Sequence, residues 1–149
     1  MAEEPIANRT VLAVIPLVED CTSLGRILNP TKWEVQFTST FERARDALRA
    51  FSFGVVISEA CLPDGLCWKD LLREVQNLPV GPPLIVVDRL ADEWLWTEVL
   101  NLGGQDVLKK PFDAKEVLHA VTVACRFCEN EQRMAALRKP VKSTSQEQT

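Results

Sequence analysis

Residues 53–65 read FGVVISEACLPDG, a short β-branched run (Val55-Val56-Ile57) that leads to a carboxylate at Glu59 and then to a turn signal at Pro63-Asp64-Gly65. A run of this kind suits a strand covered by helices on both faces, as in a parallel sheet. Proline, aspartate and glycine in succession mark a tight loop rather than a continuation of the strand. In open parallel α/β sheets, ligands gather where strands end at their carboxyl edge. Glu59, followed by a tight loop, is therefore the natural centre of a site.

The rest of the chain repeats this strand-then-helix rhythm. Val11–Ile15 is a continuous apolar run closed by Pro16, and Cys21–Leu28 has helical spacing with Asn29-Pro30 as its stop. Glu34–Phe37 alternates like a strand nearer a sheet edge. Thr40 is placed to cap a helix over Phe41–Phe51, whose apolar stripe is Ala44, Ala47 and Leu48. Cys67–Leu78 carries Trp68, Leu71, Leu72 and Val75 at helical spacing, and Gly81-Pro82-Pro83 separates it from the apolar run Leu84–Val87. Ala91–Leu102 is a fourth helix stopped by Gly103-Gly104. Val107-Leu108 opens a last strand that ends at Lys110-Pro111, and Asp113 can cap a final helix through Cys128 towards Arg138. Five strands alternating with five helices imply a parallel sheet with helices on both faces. The carboxyl ends of those strands would gather Ile15, Pro16, Glu59, Asp88 and Lys110.

The expected organisation is a lead-in over 1–9, one domain over 10–128, an extension of the last helix over 129–139 and a disordered tail over 140–149, where apolar content is too low to build a core. At 149 residues, with 46% hydrophobic and 26% charged content, the chain is long enough for one well-packed domain. A net charge of −4 gives no reason to expect nucleic acid or a membrane surface as partner. Five cysteines at irregular spacing argue against a disulfide framework, and the acidic, polar N-terminus is unlike a signal peptide. A cytoplasmic setting is expected.

In the order and spacing of VVISEACLPDG, PLIVVD and GGQDVLKKPF, the segment Thr10–Cys128 resembles the receiver domain of two-component response regulators. The resemblance implies a flavodoxin-like (CheY-like) doubly wound five-stranded parallel sheet of order 2-1-3-4-5. It also implies a site with an aspartate phosphoacceptor at the end of the third strand and an acidic pair after the first strand that binds Mg²⁺. A Ser or Thr follows the fourth strand in that family, and a Lys before proline follows the fifth. Carried onto this chain, Glu59 stands at the phosphoacceptor position, and Ile15 and Pro16 stand at the acidic pair. Asp88 replaces the hydroxyl residue, Val107 replaces an aromatic that often moves on activation, and only Lys110 is retained. The pattern is that of a degenerate pseudo-receiver.

The physical chemistry agrees. Mg²⁺ takes hard oxygen ligands in near-octahedral geometry, and Ile15 and Pro16 offer no side-chain oxygen. Glu59 is one methylene longer than aspartate, which displaces its oxygens from an in-line position. Mg²⁺ binding is not expected, and no cofactor is implied. Glu59 and Lys110 can instead form a fixed ion pair, read either as simple neutralisation together with Asp88 or as an imitation of a phosphorylated aspartate. Glu19-Asp20 reads as a solvated loop or a cap for the helix at Cys21, with a shifted loop that restores a metal ligand as the alternative.

Two further features call for a reading. With Leu95, Val99 and Leu102 turned to the core, Trp94 and Trp96 lie about 100° to either side of that stripe. Trp96 and Leu100 would then form an outer ridge, so Trp94, Trp96 and Leu100 are candidate interface residues unless neighbouring helices cover them. Cys125 and Cys128 form a CxxC inside a predicted helix, where buried small apolar residues are the simpler reading than a redox or zinc site. His119 is the sole histidine, which leaves no basis for a catalytic triad, and no catalytic residue is expected. The sequence thus predicts a non-enzymatic signalling module that acts by protein–protein contact, with a kinase or effector as partner or with a second copy of itself. A phosphoaccepting receiver with a non-standard site at Glu59 or Asp64 is the alternative. An unrelated flavodoxin-like cofactor binder lacks the Gly-rich loop it would need after the first strand.

Overall fold

The computed structural model describes residues 8–79 and 81–147, with side chains as far as 137. Strands and helices alternate throughout: β1 (Thr10–Val14), α1 (Val18–Leu28), β2 (Glu34–Thr38), α2 (Phe41–Ala50), β3 (Val55–Glu59), α3 (Trp68–Gln76), β4 (Leu84–Asp88), α4 (Glu93–Leu102), β5 (Asp106–Lys109) and α5 (Ala114–Glu147). Every strand pairing is parallel and the order is β2-β1-β3-β4-β5, the doubly wound arrangement expected.

The burial of each strand follows from its position. β1, β3 and β4 are central and almost wholly buried, which is why their sequences are continuous β-branched and leucine runs. β2 lies at an edge and is the least buried strand, with Val35 and Thr38 half-buried and Phe37 38% exposed, so the expected alternation is only partial. Alternate residues feed two separate cores. Val11, Ala13, Ile15, Ile57 and Ile85 meet α1 and α5 through Leu24, Leu28, Val117 and Val121. Leu12, Val14, Val56, Leu84 and Val86 meet the other three helices through Leu48, Trp68, Leu71 and Val99. Each large side chain so buried contributes about 1.5–3 kcal/mol.

Local signals set the helix ends. Thr40 accepts a hydrogen bond from the Arg43 amide at 3.2 Å to start α2, and Asp113 accepts from the Glu116 amide at 3.0 Å to start α5. Asp92, rather than a residue at Ala91, starts α4 by accepting from the Leu95 amide at 3.0 Å. Gly103 ends α4 at φ 105°, a left-handed conformation that glycine adopts without a Cβ penalty.

Some expectations require correction. α1 begins at Val18 rather than Cys21, with Leu17 at its N-cap and no side-chain cap, so Glu19 and Asp20 belong to its first turn instead of a loop. Leu102 does not face the core but is 47% exposed; it is the last residue of α4, and its carbonyl accepts from Gln76 Nε2 at 3.1 Å. The backbone of α5 runs from Ala114 to Glu147, over 140–147 of the segment expected as a tail. The side chains of that tail, like the lead-in over 1–7, lie outside the described residues.

Candidate functional site

The carboxyl edge of the sheet converges on one side chain. Lys110 immediately follows β5, whose last residue Lys109 pairs with Asp88 at the end of β4. The Lys110 amide donates to the Asp88 carbonyl at 3.3 Å, and its peptide bond to Pro111 is cis. The lysine side chain reaches across the strand ends towards β3 and α1. The Lys110 ammonium donates to Glu59 Oε1 at 2.9 Å, to Glu59 Oε2 at 2.8 Å and to Asp20 Oδ2 at 2.8 Å. An ammonium has three donors, and all three are used. The side chains are 3% exposed for Lys110, 14% for Glu59 and 13% for Asp20, so this is a buried cluster rather than a surface pair.

One cation lies between two carboxylates. Burial raises the Glu59 carboxyl above its usual range, opposed by the bond to Lys110 and reinforced by the negative charges of Asp20 and Asp88. Burial works to lower the Lys110 ammonium, yet its bonds to Asp20 and Glu59 outweigh that and carry it above the usual lysine range. Lys110 therefore stays charged wherever the protein is folded near neutrality.

The other expected site residues divide. Ile15 is buried just beyond β1, and its carbonyl accepts from the Cys21 thiol at 3.4 Å. Pro16 is half-buried beside it and Val107 is half-buried within β5. Asp88 meets Lys110 through its backbone carbonyl and not, as neutralisation of the lysine would require, through its side chain. Its Oδ2 instead accepts from the amides of Leu90 at 3.1 Å and Ala91 at 3.4 Å, turning the chain after β4, where Ala91 sits at φ 40°. Asp64 is exposed at the loop tip, with Oδ1 3.5 Å from the Phe41 amide, and so faces α2 rather than the cluster. Asp20 is the residue that the loop reading missed. A signal for it exists in the sequence: Asp20, Leu24 and Leu28 recur at a spacing of four and share one face once the helix starts at Val18. Buried Leu24 and Leu28 carry that face, and Asp20 with it, onto the sheet.

Away from the strand ends, Trp94 and Trp96 on α4 are 81% and 48% exposed, and Leu100 is 39% exposed. All three are exposed, with Trp94 the most open. His119 is an exposed residue of α5. Cys125 is buried and its thiol donates to the Asn8 carbonyl at 3.4 Å; burial pushes it up to about 11. Cys128 is half-buried, 3.6 Å from the Gly81 carbonyl. Both belong to the packing of α5. Among the described residues, no group of three or more His, Cys, Asp or Glu is placed to hold a metal ion, and no helix is long and apolar enough to cross a membrane.

Comparison with known proteins bears on the fold and the family. The family model described as "Response regulator receiver domain" matches residues 18–122. The transcriptional regulatory protein FixJ of Bradyrhizobium diazoefficiens is 27% identical over 119 residues, which cover 80% of this chain and 58% of that protein. The chain thus spans little more than half the length of this relative. The signal receiver domain of an HD domain-containing protein from Pseudomonas fluorescens superposes with a TM-score of 0.76 at 25% identity, over 89% of this chain and 97% of that one. The receiver domain of the sensor histidine kinase PA1611 from Pseudomonas aeruginosa, solved with a magnesium ion coordinated in its active-site cleft, has the same fold. It superposes with a TM-score of 0.70 at 20% identity, over 80% of this chain and 98% of that one.

Proposed function

This chain belongs to the response regulator receiver domain family, and on that premise we propose that it is a phosphorylation-independent member, a pseudo-receiver that signals by protein–protein contact. The observation that carries the proposal is the saturated Lys110 ammonium between Glu59 and Asp20. A metal ion in this cleft would need these same carboxylate oxygens at about 2.0–2.1 Å in an octahedral shell. Lys110 already occupies the space between them, and Ile15 and Pro16 bring no side-chain oxygen from β1. The residues present do not fit Mg²⁺. Without a dication, the surplus negative charge of the cluster repels an incoming phosphoryl group instead of neutralising it.

The internal ion cluster holds β3, β5 and α1 in one arrangement, and the domain is then read by its partner in that arrangement. The aromatic face of α4, with Trp94, Trp96 and Leu100 outward, supplies the contact surface, since exposed tryptophans are favoured anchors in interfaces. The partner is another protein of a two-component pathway, or a second copy of this chain, in a cytoplasmic setting. Intact-protein mass spectrometry after incubation with acetyl phosphate, with and without Mg²⁺, tests the proposal. No added phosphoryl group is expected under conditions in which a competent receiver is modified. A Mg²⁺-dependent adduct that is absent from Glu59→Gln overturns it.

A further inference from the structure

Two residues beyond Glu59 the chain doubles back on itself. The Leu62 amide donates to the Leu66 carbonyl at 2.9 Å and the Trp68 amide donates to the Ala60 carbonyl at 3.0 Å, while Gly65 makes the turn at φ 81°. These bonds flank one directly opposed antiparallel pair, Cys61 and Cys67. Because the bonds lie on either side of the pair and not within it, the two cysteines are a non-hydrogen-bonded pair. That is the closer class, with Cα atoms about 4.5 Å apart and side chains on the same face. The separation falls inside the range of about 4.4–6.8 Å that disulfides span. Both thiols are free, Cys61 exposed and Cys67 half-buried at the N-cap of α3.

The other three cysteines are placed differently. Cys125 is buried, and Cys21 and Cys128 are half-buried; burial raises all three thiols, and each lies within hydrogen-bonding distance of a backbone carbonyl. Cys125 and Cys128 sit three apart on one helix, where the backbone does not oppose them. Cys61 is the one exposed thiol of the five, and Cys67 is the cysteine that the backbone sets opposite it.

We propose that Cys61 and Cys67 form a peroxide-sensitive dithiol that closes into a disulfide across the loop after β3. The Cys61 thiolate attacks the O–O bond of hydrogen peroxide, giving a sulfenic acid and releasing hydroxide, which the thiol proton converts to water. The Cys67 sulfur then displaces the sulfenic oxygen as a second water, so that two thiols and one peroxide yield one disulfide and two waters. The ring so formed encloses residues 62–66 and ties the first turn of α3 to the end of β3, next to Glu59. Intracellular disulfides are mostly transient and sensing, and a thiol reductant reverses this one. The proposal gives the domain an input that needs neither metal nor phosphate, and it stands whether or not Glu59 accepts a phosphoryl group.

The test treats the full chain with stoichiometric hydrogen peroxide, then alkylates it under denaturing conditions. The expected product is monomeric, lighter by two hydrogens, with three of the five cysteines alkylated and a peptide linking Cys61 to Cys67 that dithiothreitol separates. Cys61→Ser and Cys67→Ser, each retaining the wild-type circular dichroism spectrum, give no such product. Amide exchange at residues 62–66 slows several-fold on oxidation. Five alkylated cysteines, a cross-link between chains, a sulfinic acid confined to Cys61, or a link between any other pair overturns the proposal.

Discussion

Replacing Lys110 with methionine keeps the apolar stem of the side chain and removes its charge. Glu59 and Asp20 are then left facing each other with 14% and 13% exposure and no counter-charge. Removing one partner of a buried pair costs about 3–5 kcal/mol, against about 0–1 kcal/mol for a solvated one. The burial of all three side chains places this cluster in the first class. For a chain of this size such a loss lowers the melting temperature by about 6–20 °C. Urea unfolding followed by far-UV circular dichroism at pH 7 measures it. The triple variant Lys110→Met with Glu59→Gln and Asp20→Asn, which carries no stranded charge, recovers most of the loss.

The pH dependence of that deficit has a definite sign. Lys110 is raised in the folded state, so its contribution is fully present below the ordinary lysine range and disappears only as pH rises through the raised value. Glu59 is also raised, so its ionisation subtracts from stability above the ordinary carboxylate range, and that penalty vanishes as pH falls through its raised folded value. Without Lys110 the penalty grows. The deficit of the methionine variant should therefore narrow as the pH is lowered from 7 into the carboxylate range. A loss below about 1 kcal/mol at pH 7, or a deficit that does not change with pH, would refute the reasoning.

Other perturbations separate the remaining parts of the structure. Asp20→Asn leaves a one-to-one pair and removes a charge that raises Glu59; the Glu59 carboxyl should titrate at lower pH, as read by NMR of its side-chain carbon, with stability changed by under about 1 kcal/mol. Gly103→Ala forces a Cβ onto a left-handed residue and to within 2.6 Å of Gln76 Nε2; it should cost about 1–2 kcal/mol, seen as a lower urea midpoint at unchanged slope. Trp94→Ala with Trp96→Ala should weaken self-association or partner binding by light scattering while stability stays within about 0.5 kcal/mol of wild type. Unchanged association would remove the interface from α4.

The sheet and its order were legible because each strand announces itself. Val55-Val56-Ile57 and Leu84–Val87 are short, β-branched or leucine-rich, and bounded by turn residues. The convergence of Glu59 and Lys110 followed from strand order alone. Asp20 and Asp88 exchanged roles for local reasons. Leu17 gives α1 no side-chain cap, so no capping residue marks the true start of that helix, and the acidic first turn, Glu19 and Asp20, reads equally as a loop. Asp88 ends a strand and precedes Arg89-Leu90-Ala91, where an aspartate can satisfy the free amides of its own turn. That short-range demand outcompeted Lys110, while Asp20, ninety residues from the lysine in sequence, arrived through the packing of Leu24 and Leu28. Long-range placement by a helix face is the kind of information that local patterns carry least well.

The counter-ion of this site is covalently part of the chain. Where a carboxylate cluster recruits its cation from solution, occupancy follows the concentration of that ion, and the site can be loaded, emptied or poisoned by a competitor. Here the association of cation and carboxylates is unimolecular, fixed by the fold at the same effective concentration in every copy of the protein. On the reading proposed above, neither chelators nor changes in divalent-ion supply should alter it. The counter-ion of the strand ends is thus supplied when the chain folds, which leaves pH and the cysteine pair after β3 as the proposed ways to act on this edge of the sheet.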